Sequence, residues 1–284
     1  MRILPIIMKF APNWTKNKAM VDEENVLTAE NLSVSYGGKV AISKINFALP
    51  RGKILAVVGE SGSGKSTLLK AVQGLLGKTG RITSGRIVFM GRDITNLTDD
   101  QRRKLAGSAG MTMIFQNAAA SFCPIRTVNE QIFEAVRVHK DWNYAQFREK
   151  AQGIAKKINL KDEALDEYPF RLSGGMGQRA GILAAIILSP KLILADEPTS
   201  ALDTVTQVSV AKELLGLKEN LGISMLIVTH HMGVAYYLAD DILLMRRGKM
   251  VEYGEKKSIF RAPKAEYTKE LIAAVPRLHD FDYE

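Results

Sequence analysis

The run Gly59-Glu60-Ser61-Gly62-Ser63-Gly64-Lys65-Ser66-Thr67 has the residue types of a loop that holds phosphate groups. Its glycines let successive backbone N–H groups turn toward one point, and a helix starting at Lys65 adds partial positive charge there. Gly59, Ser61, Gly62, Ser63, Gly64 and Thr67 would line the cradle. Lys65 would reach the β- and γ-phosphates, and the Ser66 hydroxyl would ligate Mg2+. The chemistry expected is therefore nucleotide binding.

A second candidate is Leu192-Ile193-Leu194-Ala195-Asp196-Glu197, an apolar strand that ends in two carboxylates. Alone, such an ending is commonplace. Beside a phosphate loop it gains a role, because Mg2+ is a hard cation that takes oxygen ligands. Asp196 would hold the metal and Glu197 would polarise the attacking water. A third stretch, Leu172-Ser173-Gly174-Gly175-Met176-Gly177-Gln178, opens a helix with Ser173 as its N-cap.

These residues need elements to position them. Ile54–Val58 is a short continuous apolar run, the pattern of a strand buried on both faces. From Val26 to about Gly59 the chain reads as strands, with Gly37-Gly38 and Pro50-Arg51-Gly52 as turns. Residues 84–115 read as short strands alternating with polar turns, and residues 127–168 have helical periodicity with many charges. Helices are expected at about 65–76, 175–188, 204–220 and 266–274, strands at 192–195 and 223–228, and a hairpin turn at Arg247-Gly248-Lys249. Strands alternating with helices imply an α/β fold with a mostly parallel sheet covered on both faces.

Composition narrows the class. The 284 residues are 46% hydrophobic and 24% charged, the balance of a folded chain. No apolar run approaches the ~18 residues needed to span a bilayer. Lys plus Arg number 39 against 30 Asp plus Glu, a net +9 spread without a polybasic block. That charge suits anionic partners without choosing among nucleotides, nucleic acid and lipid. The single cysteine, Cys123, excludes an intramolecular disulfide framework and four-cysteine metal sites and fits a reduced, cytoplasmic setting. Residues 1–25 read as an appendage: Ile3–Met8 is too short for a secretory core. The first 19 residues are expected to be either a flexible extension or an over-long start before Met20.

Taken together, the phosphate loop, Gln116, the Ser173-Gly174-Gly175 signature, Asp196-Glu197, Ser200-Ala201-Leu202-Asp203 and His230 resemble, in order and spacing, the ABC-type ATPases. The resemblance covers about Val26 to Gly254. It implies a P-loop NTPase fold with a mostly parallel core sheet, an antiparallel β subdomain and a helical subdomain at about 118–175. It further implies ATP and Mg2+ as cofactors. By resemblance, Tyr36 stacks on adenine, Gln116 contacts Mg2+ and water and senses a transmembrane partner, and His230 contacts the γ-phosphate. Ser173, Gly174 and Gly175 match residues that bind ATP held by the opposite subunit of a head-to-tail dimer, and Asp203 matches the loop linking the two sites. Glu197, His230, Gln116 and Lys65 are thus the expected catalytic set.

Within that family the chain is similar to the peptide/nickel importer branch. The similarity lies in Phe115-Gln116-Asn117, Ser121-Phe122-Cys123-Pro124, Tyr168-Pro169-Phe170, Met176, and the tail Ala262-Pro263-Lys264, Tyr267-Thr268 and Leu271 to Pro276. The implied organisation is an extension (1–25), an ATPase domain (26–255) and a C-terminal segment of importer type (256–284). The implied function is an ATP-hydrolysing subunit of an importer of peptides or nickel on the cytoplasmic face of the membrane. Its implied partners are two membrane-spanning permeases, a second similar ATPase or a second copy, and, indirectly, an extracytoplasmic binding protein. No nucleic acid is expected. The alternatives are an ABC ATPase acting on nucleic acid or ribosomes, and an exporter subunit. Four positions depart from the branch: Gly177 replaces a long polar residue, His231 replaces an aspartate, and Asn117 and Cys123 differ.

Overall fold

The structure is a computed structural model and describes residues 24–275 apart from 109 and 201. The expectations for residues 1–23, for Ala201 and for residues 276–284 lie outside the described residues.

Ten strands form one sheet among the described residues. They are β1 (Asn25–Tyr36), β2 (Lys39–Pro50), β3 (Ile54–Val58), β4 (Gly80–Phe89), β5 (Arg92–Asp93), β6 (Met111–Ile114), β7 (Leu192–Asp196), β8 (Ser224–Thr229), β9 (Asp241–Arg246) and β10 (Lys249–Glu255). The order is β5-β4-β1-β2-β10-β9-β3-β8-β7-β6. The run β9-β3-β8-β7-β6 is wholly parallel. The run β5-β4-β1-β2 is antiparallel. β10 joins the two halves, parallel to β2 and antiparallel to β9.

The parallel strands are largely apolar because they bury both faces. Ile54, Ala56, Ile193, Ala195, Ile227, Ile242 and Leu244 point into one core. Leu55, Val57, Leu192, Leu194, Val228, Leu243 and Met245 point into the other. The period of two along each strand sends alternate residues to opposite faces, so every one of these strands serves both cores.

The helices are α1 (Lys65–Gln73), α2 (Asp99–Ser108), α3 (Val128–Arg137), α4 (Tyr144–Lys157), α5 (Gly174–Ile186), α6 (Thr204–Leu221), α7 (Met232–Leu238), α8 (Lys256–Arg261) and α9 (Glu266–Ala273). α1 inserts Leu68, Leu69 and Val72 into the core under the antiparallel strands. The other core is filled by α3, α4, α5 and α6. Thr127 and Asn143 cap α3 and α4 reciprocally with Glu130 and Gln146. Phe133, Tyr144 and Phe147 then lock the two together, with ring centroids 5.1–6.0 Å apart.

Two expectations change. Residues 84–115 are not only strands and turns, since α2 lies between β5 and β6. Its start is written in Thr98 and Gln101, whose side chains each bond the other's backbone N–H. α1 ends at Gln73, three residues early, because Gly74 takes a left-handed φ of 75° and stops it.

Candidate functional site

β3 runs straight into the loop 59–64, and α1 begins at Lys65. Only glycine fits at position 59, where a β-carbon would lie 2.2 Å from the Met245 carbonyl oxygen. Ser61, Gly62 and Ser66 stay exposed while Ser63 is buried, so the loop opens on one side and is backed by protein on the other. The Ser63 backbone is fixed from both sides: its N–H donates to the Glu60 carbonyl and its carbonyl accepts from Gly248. Its hydroxyl, 1% exposed as a residue, has no partner among the described residues.

Lys65 folds its ammonium group back into the loop, donating to the Gly59 carbonyl at 2.6 Å and the Glu60 carbonyl at 2.9 Å. Burial lowers its pKa, opposed by the negative charges of Glu197, Asp196 and Glu60. Across from it, β7 delivers Asp196 and Glu197. Burial and the neighbouring Glu197 carboxylate push the Asp196 carboxyl up, against a hydrogen bond from Ser66 and the Lys65 charge. A carboxylate held near its own twin, and facing a lysine and a serine, is a place that gains by receiving a cation.

Glu197 sits at a left-handed φ of 46°, which bends the chain out of β7 and presents its side chain beyond the strand end. Its N–H is still held by the Val228 carbonyl at 2.8 Å. His230, one residue past β8, places Nδ1 2.8 Å from Glu197 Oε1. Gln116, two residues past β6, donates to the Ser200 hydroxyl at 3.2 Å, and that hydroxyl donates to the Glu197 carbonyl at 3.2 Å. The ends of four parallel strands, β3, β6, β7 and β8, therefore bring Lys65, Ser66, Gln116, Asp196, Glu197 and His230 to one edge of the sheet. Open α/β sheets bind ligands beyond the carboxyl ends of their strands for this reason.

Ser66, Asp196 and Gln116 are all oxygen donors, and no group of three His, Cys, Asp or Glu is gathered for a metal among the described residues. Such a set fits Mg2+, which takes few protein ligands and shares the rest with phosphate and water.

The helical signature is placed elsewhere. Ser173 caps α5, accepting from the Met176 N–H at 3.3 Å. Gly174 lies against Leu202, and Gly175 against Thr206. Asp203 caps α6 through the Thr206 N–H and hydroxyl, which hold its carboxyl below the ordinary value. No hydrogen bond or ion pair joins Ser173, Gly174 or Gly175 to Lys65, Ser66, Asp196 or Glu197 among the described residues. Tyr36 ends β1, half-buried, with its ring over Gly80.

Two features escape local reading. His231 lies with its ring centroid 3.9 Å from that of His230. Burial and the adjacent His230 lower its pKa, with Glu197 opposing. Tyr267 and Arg246, distant in sequence, touch the phosphate loop. Tyr267 falls in the tail segment noted above, yet nothing in its local pattern signals that contact.

The chain is similar to known proteins. The family described as ABC transporter matches residues 42–200. The Escherichia coli dipeptide transport ATP-binding protein DppD is 37% identical over 257 residues, covering 88% of this chain and 78% of that protein. The Staphylococcus aureus metal-staphylopine import system ATP-binding protein CntD is 35% identical over 259 residues, covering 90% and 95%. The solved structure of cbiO1 from Clostridium perfringens, part of the ABC transporter complex cbiONQ, is similar with a TM-score of 0.75 and 26% identity over 90% of this chain and 97% of that one. With a phosphate loop, a carboxylate pair and a helical signature on the same framework, the chain belongs to the ABC transporter family, as an ATP-binding subunit that couples ATP hydrolysis to transport.

Proposed function

We propose that this subunit powers the import of small peptides or metal chelates through membrane-spanning partners, working from the cytoplasmic face of the membrane. The relatives named for dipeptide transport and for metal-staphylopine import support that substrate range. No helix among the described residues is long and apolar enough to cross a membrane, so a peripheral place beside permeases fits.

The observation that carries the reading is the contact of His230 with Glu197 beside Asp196, Ser66 and Lys65. Lys65 releases the Gly59 and Glu60 carbonyls to meet the β- and γ-phosphates, and Tyr36 supports the base. Ser66, Asp196 and Gln116 would hold Mg2+, which would neutralise charge on the phosphate oxygens. Glu197 orients the attacking water and accepts its proton. His230, held through Nδ1, keeps its other ring nitrogen for the γ-phosphate.

Ser173, Gly174 and Gly175 stand apart from their own chain's loop and are exposed or half-exposed, so they act on ATP held by a second ATPase subunit. That subunit is a similar chain or another copy of this one, with Asp203 at the link between the two sites. Closure on ATP and opening after hydrolysis then form a two-state element biased by γ-phosphate contacts. A groove of about 720 Å³, lined by Met113, Phe115, Phe122, Ile132, His139 and Ala184, suits a permease segment.

The test is affinity capture of Glu197→Gln protein from its own membranes with Mg-ATP, followed by mass spectrometry. Two multi-span proteins with an ATPase support the reading. Ribosomal proteins or nucleic acid without membrane proteins contradict it.

A further inference from the structure

The C-terminal helix reaches back to the phosphate loop. Tyr267, in the first turn of α9, is 8% exposed, and its hydroxyl oxygen accepts the Glu60 N–H at 3.1 Å. The same peptide group offers its other end, the Gly59 carbonyl, to Lys65 Nζ at 2.6 Å. One peptide unit of the loop is thus held by the reactive lysine on its oxygen and by α9 on its nitrogen. Arg246 covers the Tyr267 ring, with Cζ 4.6 Å from the centroid, and stands 3.6 Å from Glu60 Oε1.

α9 is itself firmly seated. No side chain of its own caps it. Instead Glu252 of β10 accepts the N–H groups of Lys264 and Ala265 at 3.0 and 3.1 Å and the Thr268 hydroxyl at 2.6 Å. Thr268 is 0% exposed. Plain packing of a terminal helix would explain a buried ring, but it does not require the hydroxyl to meet an amide of the phosphate loop.

We propose that Tyr267 is a positioning residue for nucleotide binding, and that nucleotide occupancy and α9 docking are coupled through the Gly59–Glu60 peptide. This rests on the reading of residues 59–67 as the nucleotide loop. When phosphates draw Lys65 away from the Gly59 carbonyl, Tyr267 is the contact that keeps that peptide oriented. Without it the loop spends less time in the receiving geometry, and apparent affinity falls in proportion to that lost fraction. Coupling between two sites is reciprocal, so nucleotide must equally tighten α9.

The experiment compares the full-length wild-type chain with Tyr267→Phe, which keeps the ring and its contact with Arg246. Mg-ADP affinity is measured by calorimetry, KM and kcat for ATP in the assembled transporter, and hydrogen exchange across residues 264–275 with and without Mg-ADP. Expected are an affinity about tenfold weaker, in line with one orphaned, partly buried amide, a KM raised similarly with kcat retained, and ADP-dependent slowing of α9 exchange in the wild type that Tyr267→Phe loses. Equal affinities in the two proteins, or wild-type α9 exchange indifferent to ADP, overturn the proposal. The wild-type exchange result stands whether or not the variant folds. A wild-type chain that binds no ADP at all would instead overturn the nucleotide reading of the loop.

Discussion

Gly177 in α5 and Ala119 in the 3₁₀ turn after Gln116 approach so closely that a β-carbon on the glycine would lie 2.6 Å from that of the alanine. One turn on, Gly181 has the same relation to Ala118, at 2.3 Å. The segment following Gln116 is therefore seated directly on α5, with only the Ala118 and Ala119 methyl groups between the two backbones. The missing long polar residue at 177 has a physical cause: this chain fills that space with the Ala119 methyl group.

Gly177→Ala should accordingly destabilise the protein although alanine is the better helix former. The propensity gain is at most ~1 kcal/mol, whereas overpacking a tight contact costs about 1–3 kcal/mol. A net loss of about 1 kcal/mol is expected in chemical denaturation, and Ala119→Gly in the same chain should recover most of it. A stabilised Gly177→Ala single variant would show that the two segments are free to move apart.

Asp196→Asn should raise the melting temperature of the nucleotide-free protein while removing Mg-dependent hydrolysis. The Asp196 carboxyl is raised by burial and by Glu197. The native state then holds protons that the unfolded chain has released, and its stability falls as pH climbs above the ordinary value of 3.8. Asparagine carries no such cost. Because the site is partly open to solvent and screened, the gain is modest, about 1–2 °C at pH 7.5, and it should shrink toward pH 4. Melting curves with and without Mg-ADP measure both effects. A lowered melting temperature would mean that Asp196 is a structural ion-pair partner instead.

Docking of α9 should fail in acid. Burial acts to raise the Glu252 carboxyl, but bonds from Thr268, Lys264 and Ala265 outweigh it and hold the group below its ordinary value of 4.5. Its contribution is present above 4.5 and is lost as pH falls through the lower native value. Limited proteolysis or hydrogen exchange at residues 264–275 should report release over that interval in the wild type. Glu252→Gln should make release independent of pH there. Identical acid profiles would remove Glu252 as the anchor.

Much of this architecture is legible in the sequence because its parallel strands are buried on both faces and stand out as apolar runs. The loop between β3 and α1 is legible because a glycine-rich run follows an apolar strand and ends where a helical pattern begins. α2 is not, since its residues are largely polar and its start rests on the short Thr98–Gln101 reciprocal cap. Nor does local pattern reveal that half of the sheet is antiparallel, because alternation along β1 and β2 says nothing about which strands pair. The Tyr267–Glu60 contact spans 207 residues, and only the folded chain brings them together. The Glu197–His230 contact is intermediate: both residues can be picked out at strand ends, but their 2.8 Å approach depends on β7 and β8 being parallel neighbours.

The most direct measurement is ATP binding and steady-state hydrolysis by wild-type and Glu197→Gln protein under the same conditions, in the membrane-extracted assembly. The geometry predicts ATP affinity within about twofold of wild type and hydrolysis lowered by about 10²–10⁴, the contribution of a positioned general base. Hydrolysis at a comparable rate in the variant would contradict the account, because the carboxylate that His230 holds at the end of β7 would then not be the group that activates water.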